Sequence, residues 1–171
     1  MNHVMVDLET LGNGSNAAII SLGAVAFDVD KGIGDEFYMT IDPQSCVDAG
    51  LKMDVSTVMW WMHQSDEARS AFKKKGGPLE LVLGAFADWY PKAACLWGNG
   101  ATFDNVILDN AYKALSGKRP WHYTKDRCYR TLKNLRPDVT QERVGTHHNA
   151  LDDAKFQALH AIKIMKIMGV K

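Results

Sequence analysis

Three apolar runs open the chain. His3 to Leu8 is short and rich in Val, Ala17 to Asp28 is longer, and Ile33 to Ile41 alternates roughly between apolar and polar residues. Turn-forming segments separate them, Gly12-Asn13-Gly14-Ser15-Asn16 and then Asp28 to Gly34. Short apolar runs between such turns predict three strands in an antiparallel meander. From Pro43 the period lengthens. Asp54 is placed to cap a helix through Val55, Val58, Met59 and Met62, and Ser65 opens another that ends near Lys75. Leu79, Leu83, Phe86 and Tyr90 recur at helical spacing before Pro91. Ala93 to Trp97 predicts a fourth strand, Thr102 to Leu115 a helix closed by Gly117, and Arg119 to Tyr123 a fifth strand. Asp126 to Leu135 predicts a helix and Pro137 to Gly145 a loop. Ala150 to Met168 predicts a long final helix, apolar at Leu151, Ala154, Ala158, Leu159, Ile162, Met165 and Met168. Strands first, then helices alternating with strands, predict an α/β domain whose mixed sheet is covered by helices.

Size and composition narrow this further. A chain of 171 residues can bury one core, so a single domain over 1–171 is expected. Cys46, Cys95 and Cys128 are far apart, odd in number and without a CxxC pair, which suits a reducing cytoplasm. The N-terminus lacks the basic and apolar regions of a signal peptide, and the longest nearly apolar stretch, Ala17 to Phe27, is too short to span a bilayer.

The zero net charge hides an asymmetry. Residues 1–54 hold nine acids against Lys31 and Lys52, a balance of −7, which leaves +7 on the remainder. Lys113 to Arg136 alone carries eight basic residues against Asp126, interleaved with Trp121, His122, Tyr123 and Tyr129. Such a mixture suits a phosphate backbone with stacked bases, although a solvated helix and loop can have the same composition. Lys73-Lys74-Lys75 reads as a solvated helix end.

Against this background, five residues stand in surroundings that acids seldom accept without a compensating charge. Asp7 and Glu9 are two apart in a predicted strand, so both carboxylates face one side. Without a cation they repel each other; with Mg²⁺ or Mn²⁺ they are the oxygen ligands that hard cations prefer. Asp104 follows the Gly98-Asn99-Gly100 turn in the first turn of a helix, where an acid is also favoured by the macrodipole, with Thr102 as a cap. Gly98 and Gly100 admit a close backbone or ligand, and Phe103 could support a nucleobase. His148 and Asp153 flank the start of the last helix, about 7.5 Å of rise apart. His147 and Asp152 have the same spacing, so spacing leaves both pairs open.

Taken together, Asp7-Leu8-Glu9-Thr10, Asn99-Gly100-Ala101-Thr102-Phe103-Asp104 and His148-Asn149-Ala150-Leu151-Asp152-Asp153-Ala154 resemble the three motifs of the DEDDh 3′–5′ exonucleases of the ribonuclease H-like superfamily. The segments from Asn16 to Val25 and from Trp60 to Ser65 look like the small phage and prophage enzymes labelled exodeoxyribonuclease VIII-like. The resemblance covers essentially the whole chain and selects His148 with Asp153 over the neighbouring pair. It implies a ribonuclease H-like α/β fold with a mixed five-stranded sheet, three antiparallel strands then two parallel. It implies hydrolysis of a 3′-terminal phosphodiester with release of nucleoside 5′-monophosphates. Asp7, Glu9, Asp104 and Asp153 would hold two Mg²⁺ or Mn²⁺ ions, with Asp7 bridging, and His148 would be the general base. Thr10 and Leu11 resemble the positions that contact the terminal nucleotide of a single-stranded 3′ end; Phe103 and Trp61, or Trp60, could stack on a base, with helical core packing as the other role for the tryptophans. Leu11 departs from the second Thr of many relatives. Adjacent Trp60 and Trp61 lie about 100° apart on a helix, so unequal burial is expected. DNA is the favoured substrate; RNA 3′-end trimming and a non-catalytic nucleic-acid-binding module are the alternatives. A homodimer in a bacterial cytoplasm, phage or prophage encoded and apart from membranes, completes the expectation.

Overall fold

A computed structural model describes residues 1–73, 75–143 and 145–170. Its strands β1 (His3–Thr10), β2 (Ile19–Asp28) and β3 (Gly32–Thr40) form the expected meander, β1 and β3 each pairing antiparallel with β2. Four helices follow, α1 (Pro43–Asp48), α2 (Val55–Met62), α3 (Ser70–Lys73) and α4 (Leu79–Trp89). Then come β4 (Cys95–Gly98), α5 (Asp104–Ala114), β5 (Asp126–Cys128), α6 (Tyr129–Leu135) and α7 (Ala150–Met168). β4 pairs parallel with β1 and with β5, giving the order β3-β2-β1-β4-β5. This is the mixed, helix-flanked α/β sheet that the pattern predicts.

Both faces of the sheet are covered, and alternation along β1 decides which residue serves which face. Val4, Val6 and Leu8 enter one core with Leu83 and Phe86 of α4 and Ile107 and Leu108 of α5. Met5 enters the other, with Ala154, Ala158, Ala161 and Met165 of α7. Small residues at helical spacing let α7 lie close on β1 and β2. Asp7 and Glu9 continue the Met5 face and therefore emerge on the α7 side, at the strand's end.

Several boundaries differ from the expectation. Arg119–Tyr123 is not a strand. Pro120 interrupts it, and Trp121 is buried instead, its indole N–H donating to Asp126 Oδ1 at 2.9 Å. The fifth strand is Asp126–Cys128, three residues that had read as the start of a helix; the helix begins at Tyr129. So short a strand shows no alternation, and its pairing with Leu96–Gly98 defines it. The Ser65 helix reduces to Ser70–Lys73 after a turn, and Lys74 of the lysine run lies outside the described residues, as does Val144 of the predicted loop. Asp54 occupies the cap position of α2 as expected but makes no side-chain capping bond; its Oδ2 accepts the Asn13 backbone N–H at 2.8 Å instead. Phe103, not Thr102, occupies the cap position of α5. No helix among the described residues is long and apolar enough to cross a membrane.

Candidate active site

Three elements meet where β1 ends. The β1–β2 register shifts between Glu9 and Thr10, with Ile20 of β2 as the extra residue, and the strand ends there. Gly23 is the β2 partner of Asp7. A Cβ on Gly23 would come within 2.2 Å of the Ala150 carbonyl carbon, so the absent side chain is what lets the first turn of α7 rest on β2. That docking brings Asp153 over the pair on β1. Oxygen atoms of Asp7, Glu9 and Asp153 all lie within 4.8 Å of one another. Asp104, buried at the start of α5, lines the same cavity but is not part of that three-way cluster; its Oδ1 accepts the Leu8 backbone N–H at 3.3 Å.

Crowding shows in the proton affinities. Burial, then Asp104, Glu9 and Asp153, hold the Asp7 carboxyl well above the usual carboxylate range. Burial and the charges of Asp153 and Asp104 push Glu9 up to about 8, with Arg143 pulling the other way. Burial raises Asp104 to about 7 in spite of backbone hydrogen bonds from Leu8 and Asn99 and the nearby Arg130. Converging oxygen donors that repel one another are what a hard divalent cation relieves, so this donor set fits Mg²⁺ or Mn²⁺.

Partners found here had not been singled out in the sequence. Gln157 Nε2 donates to Asp7 Oδ1 at 2.7 Å, while its Oε1 is buried without a partner. It stands one turn beyond Asp153 on α7, so helical spacing from the third motif could have found it. Arg143 forms an ion pair with Asp153 Oδ1 and stacks over Phe156 at 5.2 Å. It lies in the segment that reads as loop, where no period points inward.

The two equally spaced His–Asp pairs separate in space. Asp152 Oδ2 accepts the Thr146 N–H at 2.9 Å and fixes the loop. Asp153 Oδ2 accepts the His148 N–H at 3.1 Å, holding that residue at a φ of 60°. The His148 ring lies edge-on to Trp60, with centroids 5.0 Å apart, and 6.1 Å from Trp61. His147 and His148 both line the carboxylate cavity.

A second cavity adjoins the first across Leu8, Glu9 and Phe103, which line both. Its remaining walls are Thr10, Asn13, Ser56, Thr57, Trp60 and Trp61. Trp61 is 4% exposed and its indole N–H donates to the Thr10 carbonyl at 2.9 Å, whereas Trp60 is 43% exposed. Thus Trp61 has the structural part of the pair and Trp60 the open ring. Leu11 does not reach this cavity. It is buried in the core just beyond the end of β1, its N–H bonded to the Ala18 carbonyl at 2.8 Å, and lines a separate apolar pocket with Val58, Met62 and Phe72.

A family model for the 3′–5′ exoribonuclease Rv2179c-like domain matches residues 2–165. The chain belongs to this family. Among curated proteins it resembles the exodeoxyribonuclease of enterobacteria phage T4, 29% identical over 119 residues, which are 61% of this chain and 52% of that enzyme. The chain thus spans about half the length of the phage relative. Solved structures share the fold. The nuclease domain of 3′hExo, a DEDDh family member bound to rAMP, superposes with a TM-score of 0.65 at 16% identity, over 96% of this chain and 91% of that one. Exonuclease X in complex with 5′ overhanging duplex DNA gives 0.64 at 19%, over 98% and 93%. The ribonuclease H-like DEDDh exonuclease fold expected from the three motifs is the fold observed.

Proposed function

We propose that this single domain is a divalent-metal-dependent 3′–5′ exonuclease that removes the terminal nucleotide from a single-stranded 3′ end as a nucleoside 5′-monophosphate. The observation that carries the reading is the convergence of Asp7, Glu9 and Asp153 oxygens beside buried Asp104, in a cavity that also holds His148. Asp7, Glu9, Asp104 and Asp153 would hold Mg²⁺ or Mn²⁺, two ions per site. When bound, such ions stabilise charge on the attacking and leaving oxygens of an in-line displacement.

The chain's own residues do the rest. Gln157 fixes the orientation of Asp7, and Asp153 fixes the backbone of His148. His148, supported by Trp60 and Trp61, takes the proton of the attacking water. The neutral cavity beside Glu9 takes the terminal nucleoside, with Trp60 and Phe103 against the base and Asn13, Ser56 and Thr57 supplying polar contacts. Thr10 acts through its backbone, since its hydroxyl already donates to the Gly12 carbonyl at 2.8 Å.

DNA is the first-choice substrate, in keeping with the activity named for the phage relative. RNA is the second reading, favoured by the family's description as exoribonuclease. A homodimer in a bacterial cytoplasm, from a phage or prophage, belongs to the same reading, and light scattering tests the dimer. The central test is digestion of matched end-labelled DNA and RNA, single- and double-stranded, with Mn²⁺. Stepwise loss of 3′ nucleotides by the wild type and none by Asp153→Ala is expected. Binding without release of mononucleotides from any strand would leave a non-catalytic binding module instead.

A further inference from the structure

Among the described residues, some cations in the basic half of the chain are paired and others, including Lys118, Lys125 and Arg127, have no ion pair within 4.0 Å. Lys113 and Arg119 pair with Asp109, Arg136 with Asp138, Arg143 with Asp153 and Lys155 with Glu36. Arg130 and Lys133 also line the carboxylate cavity, yet among the described residues neither has a carboxylate within 4.0 Å. They stand three residues apart on α6, on one face of the helix.

Both are held in place by neutral groups. Arg130 Nη2 donates to the Asn99 carbonyl at 2.6 Å, and its guanidinium lies where a Cβ on Gly100 would be 3.3 Å away. Gly100 has a φ of 115°, so the turn before Phe103 is shaped to admit that close approach. Lys133 Nζ lies 5.7 Å from the centroid of the Tyr129 ring. Tyr129 is itself fixed, buried at 1% exposure with its hydroxyl 2.7 Å from His160 Nδ1. Two positioned cations with no ion pair within 4.0 Å among the described residues, facing a cavity, form a site for an anion from outside.

The location indicates which anion. With the terminal nucleoside in the cavity lined by Trp60 and the scissile phosphate at the carboxylates, the strand would continue through the carboxylate cavity, which Asn99, Arg130 and Lys133 line and Trp60 does not. We propose that Arg130 and Lys133 form a subsite for the phosphate next in the 5′ direction from the scissile one, and so select a polynucleotide strand over an isolated nucleotide ester. This rests on the exonuclease reading.

The test compares two substrates. In a short single-stranded oligothymidylate that upstream phosphate is present. In the 4-nitrophenyl ester of thymidine 5′-monophosphate the same phosphorus–oxygen bond is hydrolysed, with nitrophenolate leaving in place of the upstream 3′-oxygen, and no second phosphate exists. Arg130→Gln and Lys133→Gln should each raise KM for the oligonucleotide about tenfold, with kcat within twofold, and raise KM for the ester less than twofold. Arg130→Lys should recover part of the loss. The slope of log affinity against log salt should fall by about 0.7 per contact removed, read by anisotropy of labelled oligonucleotide without turnover. Equal losses on both substrates would place these residues on the scissile phosphate, and no loss on either would remove them from the strand path; either result overturns the subsite. A wild type that hydrolyses neither substrate would overturn the exonuclease reading instead, and the anisotropy series would still decide the subsite.

Discussion

Two cavities of similar size flank Glu9, about 370 Å³ on the neutral side and about 420 Å³ on the ionic side, so chemistry and not volume distinguishes them. The neutral one is built from hydroxyls, an amide and indoles whose polar atoms largely satisfy one another, as Asn13 does with Thr57 at 3.2 Å and Trp61 with Thr10. It is complete without help. The ionic one gathers four acids, and Arg143 and Gln157 offset only part of their repulsion. A folded chain can hold such an arrangement because the cores on either side fix the strand and helix that carry it. The instability is local and is the kind that a function maintains against stability.

The largest expected effect breaks the ionic side. Asp7→Asn should lower kcat by about a hundred- to a thousandfold, the range seen when one group of a preorganised electrostatic site is removed. Its melting temperature in EDTA should hold or rise, because the amide oxygen can still accept from Gln157 and an amide is free of the burial and repulsion that oppose the Asp7 carboxylate. A large fall in EDTA would make Asp7 a structural partner.

Next in size, Gly23→Ala separates the helix from the sheet beneath that cavity. Its Cβ meets backbone of Ala150 and Leu151, which cannot rotate away, so a loss of about 2–3 kcal/mol is expected together with weaker Mn²⁺ binding. Denaturant unfolding and calorimetric titration read the two effects separately.

The neutral side is tested by its two tryptophans. Trp61→Ala should cost about 3–5 kcal/mol, since the ring is buried and hydrogen-bonded. Trp60→Ala should leave the melting temperature nearly unchanged and raise KM for the terminal nucleotide several-fold. The reverse outcome would exchange their roles.

The smallest effect is on pH. Glu9 and Asp104 keep protons in the fold that the unfolded chain releases in the ordinary carboxylate range, near pH ~4. Their contribution is therefore fully present below that range and is lost as pH rises through about 7 and about 8. Without metal the melting temperature should fall between pH ~5 and ~8, and saturating Mn²⁺ should flatten the curve. An unchanged slope with Mn²⁺ would mean that the ion does not occupy this cluster.

Much of this was legible in the chain. Long or strongly patterned elements were, because their periods extend over enough residues: β2 is apolar throughout, and α7 runs from Ala150 to Met168 as its spacing predicts. β5 was not legible, since three residues carry no period and their partner strand lies some thirty residues away. Of the site, the acids of β1 and the two rival His–Asp pairs could be named from spacing. Arg143 could not, because a loop residue's direction is set by what it meets. Trp61 and Leu11 show the same limit. One sits at the cavity through a hydrogen bond to Thr10, and the other is buried beyond the strand's end with its N–H on the Ala18 carbonyl.

By itself, the sequence determined the sheet-and-helix class, the three motif segments and the shared face of Asp7 and Glu9, because these follow from local periodicity along one strand or helix. Spacing left Asp152 and Asp153 open and the motif resemblance chose Asp153; tertiary structure is what brings Asp153 onto that face. It also set Arg130 and Lys133 on the wall of the carboxylate cavity with no ion pair within 4.0 Å among the described residues. Those outcomes depend on how closely α7 lies on β2 and where α6 begins, distances set by packing between residues far apart in the chain.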